Sequence, residues 1–278
     1  MKPAAFAYAK AGSVDDAIRL LGEHKGEAKL LAGGQSLIAT LNMRLSHPSL
    51  LVDINGVAGL DGVSVKNGMV EIGAMTRQVT LERSSDIAKH APLIACAMPH
   101  IAHPAIRNRG TIGGSVAYAD PAAELPACLM ALDAEIDIAG KGAKRTVKAG
   151  DFFKGLFETE LGTHDVLTAV RFPAAGADTR VGFAELARRH GDYAMVGLAA
   201  VAKVNGKSLS DVRLVYFGVG ATPVRVRKAE DALANGSLDD AVKALDLDPS
   251  SDIQATTDVK KHLAGVLLRR VAKQLGET

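Results

Sequence analysis

The chain has 278 residues, and its 33 Lys and Arg against 31 Asp and Glu leave a formal net charge of only +2. Proteins that bind nucleic acid through phosphate contacts use a basic excess that this chain lacks, so nucleic acid is excluded as the expected partner. Hydrophobic residues make up 47% and charged residues 23% of the sequence, which is typical of a folded globular protein and not of a disordered one. The length fits two domains, or one domain with a large appendage.

The N-terminus lacks the continuous apolar stretch of a signal peptide, and no later segment approaches the roughly 18 apolar residues of a membrane span. We therefore expect a cytoplasmic protein with no membrane span. Only two cysteines occur, Cys96 and Cys128. Four thiolates hold an iron–sulfur cluster, so this chain cannot supply one alone.

The first segments indicate strands that alternate with helices. Ser13 precedes a segment with apolar residues at helical spacing and Asp15 and Asp16 in its first turn, which predicts a helix over about 13–22. Residues 29–31 form a short apolar run that ends at a glycine pair, and a helix beginning near Gln35 is expected after it. Residues 50–54 read as a buried strand.

An antiparallel element follows. Asn67-Gly68 separates residues 63–66 from 69–72, the strongest short-range signal for a β-hairpin. Residues 76–100 are rich in helix formers with Thr76 as a possible cap, and Pro104 is expected to stop that region because it lacks an N–H group. The remaining predictions for this half are a helix over 121–132 and strands at 135–138, 145–147 and 165–172.

Residues 173–177 are small and turn-prone, which makes them the candidate domain boundary. Beyond them, strands are expected at about 181–187, 194–204 and 212–217, and helices at about 228–235, 239–246 and 258–275. Strands first and helices later predict an α+β module in which helices pack on an antiparallel sheet.

Two glycine pairs carry the strongest chemical signal. The first glycine turn (residues 32–37) contains Gly33-Gly34 and Ser36, and the second glycine turn (residues 109–115) contains Gly113-Gly114 and Ser115. Glycine lets backbone N–H groups approach an anion without a Cβ and permits the positive φ that aims successive amides at it. Each pair alone is also typical of a structural turn, but two of them with hydroxyl residues alongside indicate a phosphate-binding site.

Other sites find no support in the sequence. No P-loop pattern occurs, and Gly218-Val219-Gly220 has Pro223 where a dinucleotide fingerprint needs its third glycine. His100 and His103 lack a third metal ligand, so no metal site is predicted. Neither Ser115 nor Cys96 has the context of a nucleophile, so no catalytic residue is predicted.

Longer motifs give the sequence a family resemblance. They are Ala32-Gly33-Gly34-Gln35-Ser36-Leu37, Ile106-Arg107-Asn108-Arg109-Gly110-Thr111-Ile112-Gly113-Gly114-Ser115, Asp120-Pro121-Ala122-Ala123-Glu124-Leu125-Pro126 and Arg189-His190-Gly191-Asp192-Tyr193-Ala194. The first two resemble the flavin-binding signatures of the medium, FAD-carrying subunit of molybdenum hydroxylases. That family includes aerobic carbon monoxide dehydrogenase and relatives of xanthine dehydrogenase. The resemblance covers essentially the whole chain.

The resemblance implies an α+β fold in two parts. Residues 1–175 would form an FAD-binding domain of the vanillyl-alcohol-oxidase/PCMH-like type, with subdomains at about 1–55 and 56–175 and FAD between them. Residues 176–278 would form the smaller C-terminal flavoprotein domain. FAD is expected to be non-covalent, because neither signature contains an evident tethering His or Cys.

The resemblance also implies a set of cofactor-binding residues. The pyrophosphate would lie between the two glycine turns, adenine beside apolar positions and the isoalloxazine beside the C-terminal segment, with an acidic position near the cofactor. The residues implied at the pyrophosphate are Ala32, Gly33, Gly34, Gln35, Ser36 and Leu37 with Thr111, Gly113, Gly114 and Ser115. Those implied at adenine are Ile101 and Leu161. Tyr193 is implied at the isoalloxazine, and Glu124 is the acidic residue. A core role stays open for Ile101, Leu161, Glu124 and Tyr193.

The resemblance further implies a division of labour. A large subunit with a molybdenum cofactor would oxidise the substrate, a small subunit would carry [2Fe–2S] clusters, and FAD on this chain would receive the electrons for an external acceptor. The expected assembly is a dimer of heterotrimers. Two alternatives stay open: a free-standing FAD oxidoreductase of the vanillyl-alcohol-oxidase type and an assembly protein without flavin. Neither the substrate nor the electron acceptor is encoded in this chain.

Overall fold

The computed structural model describes residues 2–206 and 208–276. The outermost residues of the two predicted domains, Met1, Glu277 and Thr278, lie outside the described residues. Three sheets of three or more strands follow one another along the chain, with helices packed between and against them.

The first sheet is parallel, with the strand order β1-β3-β2. Its elements are β1 (Ala7–Lys10), α1 (Val14–Glu23), β2 (Ala28–Leu31), α2 (Leu37–Asn42) and β3 (Leu50–Asp53). The predicted first helix is confirmed: the Ser13 hydroxyl accepts a hydrogen bond from the Asp16 amide, and Ala17, Ile18 and Leu21 are buried. The predicted second helix begins two residues late, because residues 33–36 form the turn itself.

The second sheet is antiparallel, with the order β4-β5-β10-β6-β7. Its strands and the small β8–β9 hairpin are β4 (Val63–Lys66), β5 (Met69–Gly73), β6 (Glu135–Gly140), β7 (Ala143–Lys148), β8 (Phe153–Gly155), β9 (Glu158–Thr159) and β10 (Val166–Pro173). The predicted hairpin is confirmed, since Asn67 and Gly68 both adopt positive φ, at 52° and 74°. The β8–β9 hairpin was not predicted.

Short helices connect and cover this second sheet. They are α3 (Gln78–Arg83), α4 (Ser85–His90), α5 (Pro92–Ala97), a 3-10 turn (Met98–His100), α6 (Pro104–Arg107), α7 (Ile112–Tyr118), α8 (Glu124–Ala131) and α9 (Ala149–Phe152). Residues 76–100 are therefore helical only in separate short segments, and the prediction is confirmed for those segments alone.

Three sequence predictions in this region need correction. Thr76 is not a helix cap, because its hydroxyl is hydrogen-bonded to the backbone of Gly62. Pro104 opens α6 instead of ending the helical region, since the first helical position needs no N–H donor. The helix predicted from residue 121 begins at Glu124, because the Asp120 carboxylate accepts the Ala122 amide and holds the preceding residues in a turn.

The C-terminal part is an antiparallel sheet with helices, as predicted. Its elements are β11 (Thr179–Leu186), β12 (Val196–Asn205), β13 (Ser208–Phe217), β14 (Val224–Arg225), α10 (Arg227–Ala234), α11 (Leu238–Lys243) and α12 (Thr257–Gly276). Helix α12 packs on β11 and β12, and α10 packs on β13. On the other side, α5 contacts β11 and α8 contacts β12 and β13, so a buried core joins this sheet to the preceding helices.

Candidate functional site

The first glycine turn leads from the end of β2 into α2. Gly34 has a φ of +72°, a left-handed conformation that glycine adopts without strain. The Gln35 side chain donates to the Gly33 carbonyl at 3.0 Å. Among the described residues, no protein acceptor pairs with the amide N–H groups of Gly33, Gly34, Gln35 and Ser36. This turn therefore presents a run of unpaired donors.

The second glycine turn uses its amides within the protein. Thr111 caps α7 and accepts the Gly114 amide on its hydroxyl at 3.0 Å. The Gly113 amide donates to the Ala74 carbonyl at 2.8 Å, and the Ser115 amide donates to the Thr111 carbonyl at 3.1 Å. Thr111 and Gly113 are buried, whereas Gly114 and Ser115 are partly exposed. The groups of this turn that a ligand can reach are therefore the Ser115 hydroxyl and the exposed side of Gly114.

The structure brings the two glycine turns into direct contact. A Cβ placed on Gly33 would collide with the Arg109 carbonyl oxygen and lie 2.9 Å from the Cα of Gly110. A Cβ placed on Gly114 would lie 3.9 Å from the Cβ of Ala32. The unpaired amides of the first turn are thus close to the partly exposed face of the second, as one phosphate-binding site would require.

Glu124 and Tyr193 lie near each other at the edge of the C-terminal sheet. Glu124 is 9% exposed at the start of α8, and burial, with a further contribution from the nearby Glu185 carboxyl, raises its pKa to about 8. Tyr193 is 59% exposed. Loss of solvation to the surrounding protein, followed by the charge of Asp120, raises its pKa to about 12. Glu124 also contributes to that rise. Both predicted residues therefore belong to one cluster.

Ile101 and Leu161 both pack against the central core. Ile101 is 8% exposed, and its carbonyl accepts a hydrogen bond from the buried Arg107 at 2.8 Å. Leu161 is partly buried beyond the β8–β9 hairpin. Among the described residues, no hydrogen bond joins either of them to a glycine turn. A place beside adenine stays a prediction for both.

The sequence analysis missed two groups of residues at this site. Asn55 and Arg77 are hydrogen-bonded to carbonyls of the first and second glycine turns respectively. Tyr118 and Phe157 form an aromatic pair with ring centroids 5.1 Å apart, and Tyr118 contributes to the raised pKa of Tyr193. Leu156 and Phe157, the two large apolar residues that follow Gly155, are a signal that could have pointed to Phe157. Nothing local marks Asn55 or Arg77.

Two kinds of feature are absent from residues 2–206 and 208–276. No group of three His, Cys, Asp or Glu side chains there has an arrangement suited to a metal ion. No helix in the same residues combines the length and hydrophobicity that crossing a membrane requires.

Family models match both parts of the chain. Residues 4–175 match the FAD binding domain in molybdopterin dehydrogenase, and residues 182–275 match the CO dehydrogenase flavoprotein C-terminal domain. The nicotine 6-hydroxylase medium subunit of Paenarthrobacter nicotinovorans is 36% identical over 99% of both chains. The carbon monoxide dehydrogenase medium chain of Hydrogenophaga pseudoflava is 35% identical over 97% of this chain and 96% of its own.

Solved structures agree with these matches. A chain of Hydrogenophaga pseudoflava carbon monoxide dehydrogenase that lacks the Mo-pyranopterin moiety superposes with a TM-score of 0.96 at 35% identity, over 99% of this chain and 98% of its own. A chain of quinoline 2-oxidoreductase from Pseudomonas putida 86 gives 0.94 at 34% identity, over 99% and 98%.

The chain therefore belongs to the FAD-binding medium subunits of the molybdenum hydroxylases. Its cofactor is FAD, and it is an oxidoreductase subunit of a complex in which a partner subunit oxidises the substrate. The geometry fits this cofactor: the unpaired amides of the first glycine turn are the donors that a pyrophosphate requires, and the absence of a Cβ at Gly33 lets the two turns approach each other.

Proposed function

We propose that this chain is the electron-transfer subunit of its molybdenum hydroxylase complex, which takes electrons from [2Fe–2S] clusters of a small partner subunit and passes them to an external acceptor. Bound FAD supplies the redox chemistry, and the protein supplies its binding and orientation. The observation that carries the proposal is the run of unpaired amides in the first glycine turn, held against the partly exposed face of the second.

Each predicted site residue has a role in this proposal. The amides of Gly33, Gly34 and Gln35 and the amide and hydroxyl of Ser36 hold the pyrophosphate, with the Ser115 hydroxyl opposite. The shape of the two turns depends on the backbone packing of the remaining residues, Ala32, Leu37, Thr111, Gly113 and Gly114. Ile101 and Leu161 contact adenine, while Glu124 and Tyr193 lie by the isoalloxazine. The packing of Tyr118 on Phe157 near Tyr193 supports an aromatic surface for the ring system.

The proposal extends to the assembly. The partners are a large molybdenum-cofactor subunit and a small [2Fe–2S] subunit, arranged as a dimer of heterotrimers in the cytoplasm. The chain itself divides into an FAD-binding domain at 1–175, with subdomains at about 1–55 and 56–175, and a C-terminal domain at 176–278. The presence of only two cysteines supports clusters on a partner.

The substrate is set outside this chain. The relative named for nicotine 6-hydroxylation and the one named for carbon monoxide oxidation are 36% and 35% identical to it. Nearly equal identity to subunits of such different enzymes means that this chain's similarity does not select a substrate. Nicotine, carbon monoxide and xanthine therefore serve as probes and not as assigned substrates.

The test is anaerobic reduction of the FAD-loaded chain. The small [2Fe–2S] subunit, reduced with dithionite and freed of excess reductant, is mixed with this chain while the flavin absorption is followed. We expect bleaching with the reduced cluster subunit and none with nicotine, carbon monoxide or xanthine alone. No bleaching by the cluster subunit would contradict the proposal, and bleaching by an organic probe alone would favour the free-standing oxidoreductase.

A further inference from the structure

Four side chains form a hydrogen-bonded chain beside the glycine turns. The Tyr8 hydroxyl donates to Asp53 Oδ2 at 2.6 Å, and the Asn55 carboxamide donates to Asp53 Oδ1 at 2.6 Å. The Asn55 backbone amide donates to the same Oδ1 at 2.8 Å. Asp53 ends β3, so the central strand of the first sheet fixes the direction of the Asn55 side chain.

Asn55 and Arg77 then reach the two glycine turns. The Asn55 carboxamide nitrogen donates to the Ala32 carbonyl at 2.9 Å, in the first turn. Arg77 Nη2 donates to Asn55 Oδ1, and Arg77 Nη1 donates to the Arg109 carbonyl, in the second turn. One continuous set of side-chain hydrogen bonds therefore ties both turns to each other. We name this pair of side chains, Asn55 and Arg77, the turn clamp.

The turn clamp acts at carbonyls and leaves amides free. A peptide group is planar, so fixing the Ala32 carbonyl also fixes the direction of the Gly33 amide, which belongs to the same peptide unit. The Gly33 amide is the first of the unpaired donors in the first turn. A hydrogen bond weakens steeply when its donor points well away from the acceptor, so anchoring this carbonyl keeps the first amide of the run aimed at an anion between the turns.

The charge at the clamp also favours an anion. Burial, and after it the neighbouring Arg109, lowers the pKa of Arg77. The guanidinium groups of Arg77 and Arg109 thus repel each other at the second turn, and the Asp53 carboxylate acts in the opposite direction. A bound anion between the turns would relieve this repulsion.

We propose that Asn55 and Arg77 are positioning residues that align the amides of the first glycine turn on the pyrophosphate of FAD. The proposal rests on the proposed function, because it assumes that FAD binds between the turns. The turn clamp reaches the cofactor only through the backbone of Ala32 and Arg109. The proposal predicts that weakening the clamp lowers the part of the binding affinity that the diphosphate contributes. The affinity for adenosine, which has no phosphate, should stay unchanged.

The experiment compares two variants of the full chain with a matched control. Arg77→Lys keeps the charge but loses the two-pronged contact. Asn55→Leu has a similar size and adds no charge, but it loses the donor to Ala32 and the acceptor for Arg77. Arg145→Lys is the control, because Arg145 likewise donates to one backbone carbonyl and one side-chain oxygen, at Glu160 and Asp165. FAD binding is followed by flavin fluorescence, and ADP and adenosine are tested as competitors that differ only in the diphosphate.

We expect Arg77→Lys and Asn55→Leu each to weaken FAD and ADP binding roughly tenfold, about 1.4 kcal/mol, with adenosine binding unchanged. Arg145→Lys should leave all three affinities unchanged. Equal losses for ADP and adenosine, or an unchanged affinity for FAD, would overturn the clamp. If Arg77→Lys does not fold, Asn55→Leu decides alone. Failure of the wild-type chain to bind FAD would instead refute the proposed function.

Discussion

Gly33 and Gly113 require glycine for two different reasons. A Cβ on Gly33 would push against the backbone of Arg109 and Gly110, where the two glycine turns meet. A Cβ on Gly113 would lie 2.5 Å from the Cβ of Ala74 and 2.7 Å from its carbonyl oxygen, within the buried part of the domain. A change at Gly33 therefore affects the cofactor site, whereas a change at Gly113 affects folding.

This difference gives a paired prediction. Gly113→Ala should lower stability by about 1–3 kcal/mol through overpacking. Gly33→Ala should lose FAD and should lower the stability of the FAD-free chain less than Gly113→Ala does, because Gly33 is partly exposed and Gly113 is buried. Gly22→Ala is the control, since no atom lies within 4 Å of its Cβ position and alanine favours a helix. The measurements are flavin content and the melting temperature of the FAD-free forms. Stoichiometric FAD in Gly33→Ala would refute the role given to the turn contact.

Glu124 predicts a pH-dependent stability. Burial and then Glu185 raise its pKa from 4.5 to about 8, so the native state holds a proton that the unfolded chain releases between those values. The free energy of unfolding should therefore fall as pH rises through this window, by at most about 1.4 kcal/mol per pH unit. Glu185 and Asp120 both contribute charge at this position.

Glu124→Gln removes this titration. Melting curves with excess FAD at about pH 5 and about pH 8 should show a smaller loss of stability for the variant than for the wild-type chain. An identical pH dependence in the two proteins would show that Glu124 is not the group that holds the proton.

At the scale of elements, local signals predicted most of the strands and helices. The structure confirms three elements that were predicted from local signals. These are α1 from the Ser13 cap, the β4–β5 hairpin from Asn67-Gly68, and β10 from the apolar run after residue 165. The region 76–100 was less predictable, because Ser84 caps a new helix and Pro92 opens another. Helix-forming residues alone could not locate these breaks. The short strand β14 has only two residues, Val224 and Arg225, and pairs through tertiary contact.

An ion pair between a buried lysine and a partly exposed aspartate joins helix α12 to the preceding loop. The Lys260 side chain is only 7% exposed, and its Nζ lies 2.7 Å from Asp252 Oδ2 and 3.4 Å from the Gly218 carbonyl. Hydrogen bonding to Lys260 lowers the pKa of Asp252 from 3.8 to about 2. The stability from this pair is therefore complete above pH 3.8 and is lost as the pH falls towards 2.

Asp252→Asn should lower the free energy of unfolding by about 1–2 kcal/mol at neutral pH, because it leaves the buried ammonium without its carboxylate. Asp248→Asn is the matched control, since it breaks the exposed pair with Lys261 and should change stability by less than about 1 kcal/mol. Denaturant unfolding of both variants provides the comparison. Equal effects would mean that burial of Lys260 contributes nothing to this contact.

At the scale of the whole molecule, the cofactor site joins distant parts of the chain. Gly33 and Arg109 meet only through the packing of two sheets, yet both turns could be predicted because each is a continuous motif. The turn clamp could not be predicted, since Asn55 and Arg77 are separated by 22 residues and neither belongs to a motif. Side chains that act through tertiary hydrogen bonds leave no local pattern.

The cofactor content of the purified full chain tests the central claim most directly. FAD is measured against protein after acid precipitation, with excess FAD added beforehand to fill the site. We predict one FAD per chain, released into the supernatant because neither signature offers a His or Cys to bond it covalently. A chain that takes up no FAD would contradict the account, and colour that stays with the precipitate would contradict non-covalent binding.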